Sequence, residues 1–474
     1  MVMGDMQMST DLLVIGGGPG GYGAAFRAAD LGLDVIMVDP LPRPGGLCLH
    51  KGCIPSKTFL HVTELIIDAA RAEKMGIGFG RPKIDLAAMR AWKEQVIDSI
   101  ANSLITLAKQ RGVLLVQGTA RFESSTSVRI SGADISGVRF KHCIIATGSR
   151  PLELSGTPRI AGGRIMDSAA ALTLPDIPKN LLVVGGGYVG LELGSIYAAL
   201  GCQVTLLERE NRLLAQVDAD LVQPVQERLS SLFADIRFGV QVDALEEQSH
   251  GVTVSLPRDG KIEQHQFDRA LLAIGRIPNS GELGLEQTEV QIDSRGFIQI
   301  DAQQQTTDAR IFAVGDVVGG VMLAHKATRE GRIAAEVIAG QKSGFDARAL
   351  PAVVYTDPQI SWCGLTEQQA TAENTPYAVR KFPWKYSSRA QTMGITDGFT
   401  KLLTDPQTGR ILGAGIAGRN AESLISEAAL AIEMGALAED LALTIHPHPT
   451  LSETEAEAAE IFQGSPTHML PSRK

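Results

Sequence analysis

The sequence predicts an α/β chain in which two units share one plan and a C-terminal α+β region of different style follows. Two observations carry this prediction. Segment 12–39, LLVIGGGPGGYGAAFRAADLGLDVIMVD, aligns without a gap on segment 181–208, LLVVGGGYVGLELGSIYAALGCQVTLLE, every landmark falling 169 positions later. From about residue 348 the pattern changes to short strands such as AVVYTD and GRILGAGIAG, two helical stretches and the tail TIHPHPTLSETEAEAAEIF. At 474 residues there is room for about three domains.

Each repeat reads as an apolar strand, a G-x-G-x-x-G turn, an amphipathic helix, a second strand and a terminal acid. Gly16 falls on Gly185, Gly18 on Gly187, Gly21 on Gly190, and Asp39 on Glu208. The first glycine makes a tight turn, the second lets a pyrophosphate approach the backbone, and the third lets helix and strand pack closely. The helix N-terminus supports the phosphates, and the acid accepts hydrogen bonds from a ribose. One such motif is weak evidence, but two in full βαβ context predict two Rossmann-like dinucleotide-binding units. Two such sites imply two redox carriers, with a flavin and a nicotinamide as the usual pairing.

Between the repeats, 89–112 has a helical period and VLLVQGTARF reads as one strand. KHCIIATGSRP is a strand ending in a glycine turn that closes the first region near residue 150, and RALLAIGRIPN (269–279) does the same for the second. TTDARIFAVGDVVGG (306–320) is a strand ending at Gly315–Asp316, ahead of the helical pattern LAHKATREGRIAAEVIAG.

Composition narrows the function classes. The apolar fraction of 44% and charged fraction of 20% are ordinary for a globular protein. A net charge of −9, with both signs spread along the chain, argues against nucleic acid as the main partner. The N-terminus carries Asp5 and Asp11, no arginine and no basic stretch ahead of an apolar one, so no targeting peptide is expected. No uninterrupted apolar run approaches the ~20 residues that span a bilayer. The expectation is a cytoplasmic protein without a membrane partner, in which a structural disulfide is disfavoured.

The stretch GGLCLHKGCIPSK, 45–57, nevertheless places two of the five cysteines, Cys48 and Cys53, close behind the first glycine turn. A crosslink, half of a metal site and a working dithiol are the three readings. No second cysteine pair follows at a ligand spacing, and His50 and His61 complete no recognisable set, so no metal is expected. A dithiol beside the first nucleotide site would be a third redox centre. On an ideal helix the two cysteines are about 140° out of phase, so joining them requires a distorted turn. Gly52 and Pro55 make that turn plausible, Pro55 being tolerated in a first helical turn. A thiolate there would be stabilised by the helix dipole, with Lys51 as a nearby cation. Cys143, Cys202 and Cys363 are isolated and are expected to be buried, inert thiols.

With GGLCLHKGCIPSK, ATGS, GGGYVGLELG, AIGRIPN, AVGDV, MLAHKA and HPHPTLSE in view, the chain resembles the flavin-dependent pyridine nucleotide–disulfide oxidoreductases over nearly its whole length. Within them it is most similar to members that oxidise protein-bound dihydrolipoamide with NAD. The resemblance implies an FAD-binding domain from 1–150 and 274–347, an NAD-binding domain from 151–273 and an interface or dimerisation domain from 348–474. It assigns FAD to Gly16, Gly18, Gly21, Asp39, Lys57, Thr147, Gly148, Asp316 and Ala324. NAD goes to Gly185, Gly187, Gly190, Glu208 and Gly275. Cys48 and Cys53 become a redox-active disulfide, and Lys57 is paired with Glu192 beside the flavin. His448 becomes the acid–base group, oriented by Glu453 and presented to the neighbouring subunit of a homodimer. The lipoyl group would arrive on the lipoyl domain of an acyltransferase subunit of a 2-oxoacid or related dehydrogenase complex. TLSE from Thr450 also reads as a helix capping box, and His446 as structural.

The alternatives are an NADPH-dependent, glutathione-type reductase and a flavoprotein serving mainly as a structural subunit. A carboxylate at Glu208 would repel a 2′-phosphate and favours NAD, although Arg209 and Arg212 follow it directly. Leu47 stands where the family usually has threonine, and His50 and Lys51 replace a more neutral pair. Tyr188 stands where a smaller aliphatic residue is frequent, and its ring would cover the nicotinamide pocket until NAD arrives. Tyr188→Ile is therefore expected to tighten NAD binding; an unchanged NAD dissociation constant would count against this role for the ring.

Overall fold

The computed structural model describes residues 7–157, 162–258 and 261–470. The first six residues (Asp5 among them), residues 158–161 and 259–260, and the last four residues of the C-terminal tail lie outside the described residues.

The first repeat opens on the strand Gln7–Ile15, whose Leu12, Leu13 and Val14 are wholly inaccessible. Such a continuous apolar run suits a strand covered on both faces, each large side chain contributing about 1.5–3 kcal/mol of burial. The strand lies between Val35–Asp39 and Gly137–Ile145, parallel to both, in a seven-stranded sheet. Helix α1 (Pro19–Asp30) follows the glycine turn. Gly16 has φ +107°, and a Cβ at Gly21 would lie 1.8 Å from the Gly16 carbonyl oxygen. Any side chain there would push helix and strand apart.

Three helices complete this layer: α2 (Gly46–Lys51), α3 (Cys53–Ala72) and α4 (Leu86–Gln110). Helix α4 starts three residues before the periodicity suggests, because Asp85 caps it, accepting the Ala88 N–H at 3.0 Å. VLLVQGTARF is two strands, not one. Leu114–Gln117 runs parallel to Val35–Asp39, and Thr119–Ser124 pairs antiparallel with Ser127–Ser131. The chain turns at Gly118, whose N–H donates to Asp39 and where a Cβ would stand 2.6 Å from the Ile130 side chain.

The second repeat builds a five-stranded, all-parallel sheet from Ile165–Met166, Asn180–Val184, Gln203–Leu207, Asp235–Arg237 and Arg269–Leu272. Its helices are α5 (Ser168–Ala171), α6 (Tyr188–Ala199) and α7 (Ala219–Leu232). The turn is the first one over again: Gly185 has φ +109°, and a Cβ at Gly190 would lie 2.1 Å from the Gly185 oxygen. The chain leaves and re-enters the first sheet through antiparallel segments, Ser149–Pro151 against Arg276–Pro278. It then adds Ile311–Ala313 beside Gly137–Ile145, and α8 (Ala324–Ile338) packs on α1. That crossing is close enough for a Cβ at Gly331 to fall 2.2 Å from the Gly20 oxygen.

The C-terminal region is an antiparallel sheet in the order Ala352–Val354, Gln359–Gly364, Ile411–Gly418, Phe399–Thr404, Ala378–Pro383. Around it lie α9 (Glu367–Ala372), α10 (Ser388–Met393), α11 (Ala421–Met434), α12 (Ala438–Leu443) and α13 (Glu453–Gln463). Five helices thus stand where periodicity predicts two, since three of them are too short to complete a second full helical repeat. No helix among the described residues is long and apolar enough to cross a membrane.

A buried ion cluster joins this sheet to the second repeat. Lys401, 1% exposed, reaches Asp218 at 2.8 Å, Asp220 at 2.9 Å and Glu367 at 2.9 Å. Burial opposes ionisation of Asp220, but Lys381 and Lys401 hold its carboxyl below the usual range. Lys401→Met would leave three carboxylates without their shared cation. It is expected to lower unfolding stability by about 3–5 kcal/mol at neutral pH. A carboxyl with depressed pKa contributes stability above its unfolded value, 3.8 for Asp220, and loses it as pH falls. The gap between variant and parent should therefore narrow below about pH 4. Urea unfolding at pH 7 and at about pH 3 measures this, and equal midpoints at pH 7 would refute it.

Candidate active site

One cleft of about 750 Å³ runs from the first glycine turn, past the cysteine segment, to the start of α8. It is lined by Gly16, Gly18, Asp39, Cys48, Cys53, Lys57, Thr147, Gly148, Glu192, Asp316 and Ala324. The sequence placed every one of these in or beside its first cofactor site. Gly21 stands behind the cleft, against Gly16.

The cysteine segment is built by a helix break. Helix α2 ends at Lys51, Gly52 takes φ −141° and ψ −111°, and α3 begins at Cys53. The Ser56 N–H then bonds to the Gly52 oxygen at 3.0 Å, with Pro55 inside the first turn, where its missing N–H costs nothing. This break brings Cys48 and Cys53 together on the wall of one cleft despite their helical phase, where each thiol acts on the other. Cys53 is exposed and lines the cleft.

The two sulfurs differ in acidity. The hydrogen bond from Cys48, aided by Lys57, brings Cys53 down to about 7 against burial and the Glu192 charge. The same hydrogen bond, with burial and the Cys53 charge, pushes Cys48 well up. The geometry therefore favours a Cys53 thiolate held by a Cys48 thiol. The cation acting on both thiols is Lys57, while Lys51 lines the same cleft.

Lys57 Nζ lies 2.7 Å from Glu192 Oε2 and 4.5 Å from the centre of the Tyr355 ring. The other Glu192 oxygen accepts the Tyr355 N–H at 3.0 Å. Glu192 is 4% exposed, so its charge is tolerable only with these partners. Sequence reasoning missed Tyr355, which AVVYTD presents as an ordinary strand residue. It also gave no role to Arg276, which holds Ser149 at 2.7 Å while Ser149 donates to Asp316. Both lie in motifs, AIGRIPN and ATGS, that mark a site without saying who touches whom.

The terminal acids of the repeats behave alike. Asp39 accepts the Gly17 N–H at 2.5 Å and the Leu41 N–H at 2.7 Å. Glu208 accepts from Gly186 at 2.5 Å and Glu210 at 2.7 Å. Burial raises the Asp39 carboxyl against these bonds. Both repeat helices start without a side-chain cap, leaving N–H groups for an anion. Gly185, Gly187, Gly190, Glu208 and Gly275 lie outside the cleft, but Tyr188 and Val189 from α6 face into it. Arg209 pairs with Glu210 at 3.0 Å, and Arg212 is engaged by the carbonyls of Ala215 and Val217. His50 closes the preceding loop through the carbonyls of Arg43 and Pro44.

His448 Nδ1 meets Glu453 Oε1 at 2.8 Å, and the other Glu453 oxygen accepts the Thr450 N–H at 2.7 Å. Only the glutamate half of the capping box forms: α13 begins at Glu453, and the Thr450 hydroxyl bonds to Pro447 instead. His446 is paired with Glu427 at 2.9 Å, and its side chain is only 6% exposed. The His448 side chain is 63% exposed, and no described residue of the tail lines the cleft of its own chain. Cys143, Cys202 and Cys363 are buried, and burial raises all three thiols.

Residues 10–331 match the pyridine nucleotide–disulphide oxidoreductase family, and residues 350–459 match that family's dimerisation domain. Dihydrolipoyl dehydrogenase of Vibrio parahaemolyticus is 42% identical over 99% of this chain and 98% of its own. That of Haemophilus influenzae is 43% identical over the same shares. Among solved structures, LpdA from Mycobacterium tuberculosis superposes with a TM-score of 0.88 at 27% identity, covering 95% of this chain and 99% of that one. The HOCl-induced flavoprotein disulfide reductase RclA from Escherichia coli gives 0.84 at 26% identity, with coverage of 96% and 99%. The chain belongs to the pyridine nucleotide–disulphide oxidoreductase family.

Removing the Lys57 charge should make the Cys53 thiolate harder to form. In the reduced protein, Lys57→Met is expected to raise the pH of half-maximal Cys53 alkylation by about 1 unit. Iodoacetamide labelling followed by peptide mass spectrometry reads this; an unmoved midpoint would remove Lys57 from the account.

Proposed function

We propose that this chain is the flavoprotein that oxidises protein-bound dihydrolipoamide to lipoamide and reduces NAD, using Cys48 and Cys53 as its redox-active pair. The observation that carries the reading is the placement of Cys48 and Cys53 together in the cleft wall, beside the buried Lys57–Glu192 ion pair. In the oxidised protein the pair is a disulfide. A dihydrolipoyl thiolate attacks Cys48, and Cys53 leaves as the better leaving group because its thiol is the more acidic. The second substrate thiol then displaces Cys48 from the mixed disulfide. This gives the oxidised lipoyl ring and the Cys48/Cys53 dithiol, while His448 of the partner subunit takes up the proton. Glu453 orients that imidazole.

The cofactors are FAD and NAD. The first cleft fits FAD: its volume is within the ~300–1,000 Å³ of ligand pockets, with an uncapped helix start for pyrophosphate and Asp39 for a ribose. Gly16, Gly18, Thr147, Gly148, Asp316, Ala324 and Lys57 would line it, with Gly21 packing behind. FAD held there would supply the two-electron chemistry that links the Cys48/Cys53 dithiol to NAD. Glu208, with Gly185, Gly187, Gly190 and Gly275, would hold NAD, and the engagement of Arg209 and Arg212 with other partners argues against a 2′-phosphate. The FAD-binding part comprises 1–150 and 274–347, the NAD-binding part 151–273 and the interface part 348–474.

The working unit is a homodimer. Leu430, Met434, Leu443 and Ile445 are 63–97% exposed on the C-terminal region, an apolar set adjoining His446 and His448. A second copy would bury it. The lipoyl group comes from the lipoyl domain of an acyltransferase subunit in a dehydrogenase complex, in the cytoplasm.

A side-by-side assay tests the reading: NAD reduction by dihydrolipoamide against NADPH oxidation by glutathione disulfide. Activity in the first alone is expected, and activity in the second would select the glutathione-type alternative. Cys48→Ser should abolish lipoamide turnover while leaving flavin reduction by NADH; persisting turnover would move the attacking role off Cys48.

A further inference from the structure

Helix α13 carries Glu453, Glu457 and Glu460 at i, i+4 and i+7, on one face. Each grips something different. Glu453 holds His448. After Gly464 ends the helix in the left-handed conformation, the chain doubles back along this face. Thr467 bonds to Glu460 through its N–H and its hydroxyl, both at 2.9 Å. His468 then places Nδ1 on Glu457 Oε1, and its own N–H reaches Glu457 Oε2 at 3.4 Å. Glu457 is 9% exposed and His468 46%. Adjacent i, i+4 side chains stand about 5–6 Å apart, so an imidazole clamped on Glu457 lies beside Glu453.

We propose that His468 is a positioning residue for the His448–Glu453 pair: clamped by Glu457, its ring holds a positive charge beside Glu453 and sets how strongly that carboxylate draws a proton onto His448. The inference rests on the proposed acid–base role of His448. The hydrogen bond to Glu457 raises the His468 imidazole above its usual 6.5, and Glu453 and Glu460 act in the same direction. In return, the charge of His468 helps hold the Glu453 carboxyl down against its burial, after the Thr450 N–H and His448 itself. The stability this clamp adds is fully present below pH 6.5 and is lost as pH rises through the raised value.

The elements packed against α13 carry other charged groups. On Ala378–Pro383, Arg380 lies over the Phe462 ring of α13 itself and Lys381 is paired with Asp220, while Lys401 on Phe399–Thr404 is held by its three carboxylates. On α12, Asp440 accepts the Leu437 N–H. On α11, Glu427 is bound to His446 and acts on the buried Glu455, whose carboxyl burial raises well up.

The test is the pH profile of kcat/KM for dihydrolipoamide in the flavin-loaded dimer, for the parent, His468→Gln and His468→Lys, with thermal midpoints alongside. A charge at ~6 Å in a watery setting acts on the order of half a pH unit. His468→Gln leaves Glu453 uncompensated and favours protonated His448, so the acid limb should move up by about 0.5 unit. His468→Lys restores the cation and should return the limb to the parent position. An unmoved limb in His468→Gln, or an equal shift in both variants, overturns the proposal. His448→Gln separates the two readings. If it retains the parent rate, the acid–base assignment itself fails. If it loses the rate while His468→Gln leaves the limb in place, only the role of His468 fails.

Discussion

The Lys57–Glu192 ion pair is the contact on which the site depends. Lys57 comes from α3 of the first repeat's layer and Glu192 from α6 of the second. The second oxygen of Glu192 takes the Tyr355 N–H, just beyond the first strand of the C-terminal sheet. One carboxylate, almost wholly buried, thus joins all three parts of the chain where the cysteines sit. A buried charge that loses its partner is costly, so the three parts hold this arrangement together or lose it together. The lysine in turn is the cation that favours the Cys53 thiolate.

Two copies of one turn serve unlike ends. In each, a glycine with positive φ accepts the close approach of a second glycine five residues on, and the strand-end acid ties back to the turn's N–H groups. The first copy opens directly into the cleft. The glycines of the second lie outside it, and its helix α6 reaches the cleft wall through Tyr188, Val189, Glu192 and Leu193.

The sequence made much of this legible because the constraints were local. Glycines that cannot carry a Cβ, an acid at a fixed distance and a proline in a first turn leave a trace in linear spacing. The Lys57–Glu192 pairing was available only through resemblance, since 135 positions separate the residues. Tyr355, Arg276 and Ser149 were missed because their roles consist of contacts across sheets, which no periodicity records. The capping box was half right: the glutamate reached back as its spacing required, but the Thr450 hydroxyl found a nearer carbonyl at Pro447. The single strand expected at VLLVQGTARF failed on one glycine, whose turn depends on a neighbouring strand.

By itself the sequence determined the fold class, the doubled nucleotide turn and the pairing of Cys48 with a site close behind the first turn. These follow from short-range sterics and hydrogen bonding, which act within a few residues and so survive in the order of the chain. Tertiary structure alone decided which carboxylate holds Lys57 beside the thiols and what shares the α13 face with Glu453. Those outcomes depend on burial and on charges brought together from distant segments. Electrostatic interaction follows distance in space, and the linear sequence does not contain that distance.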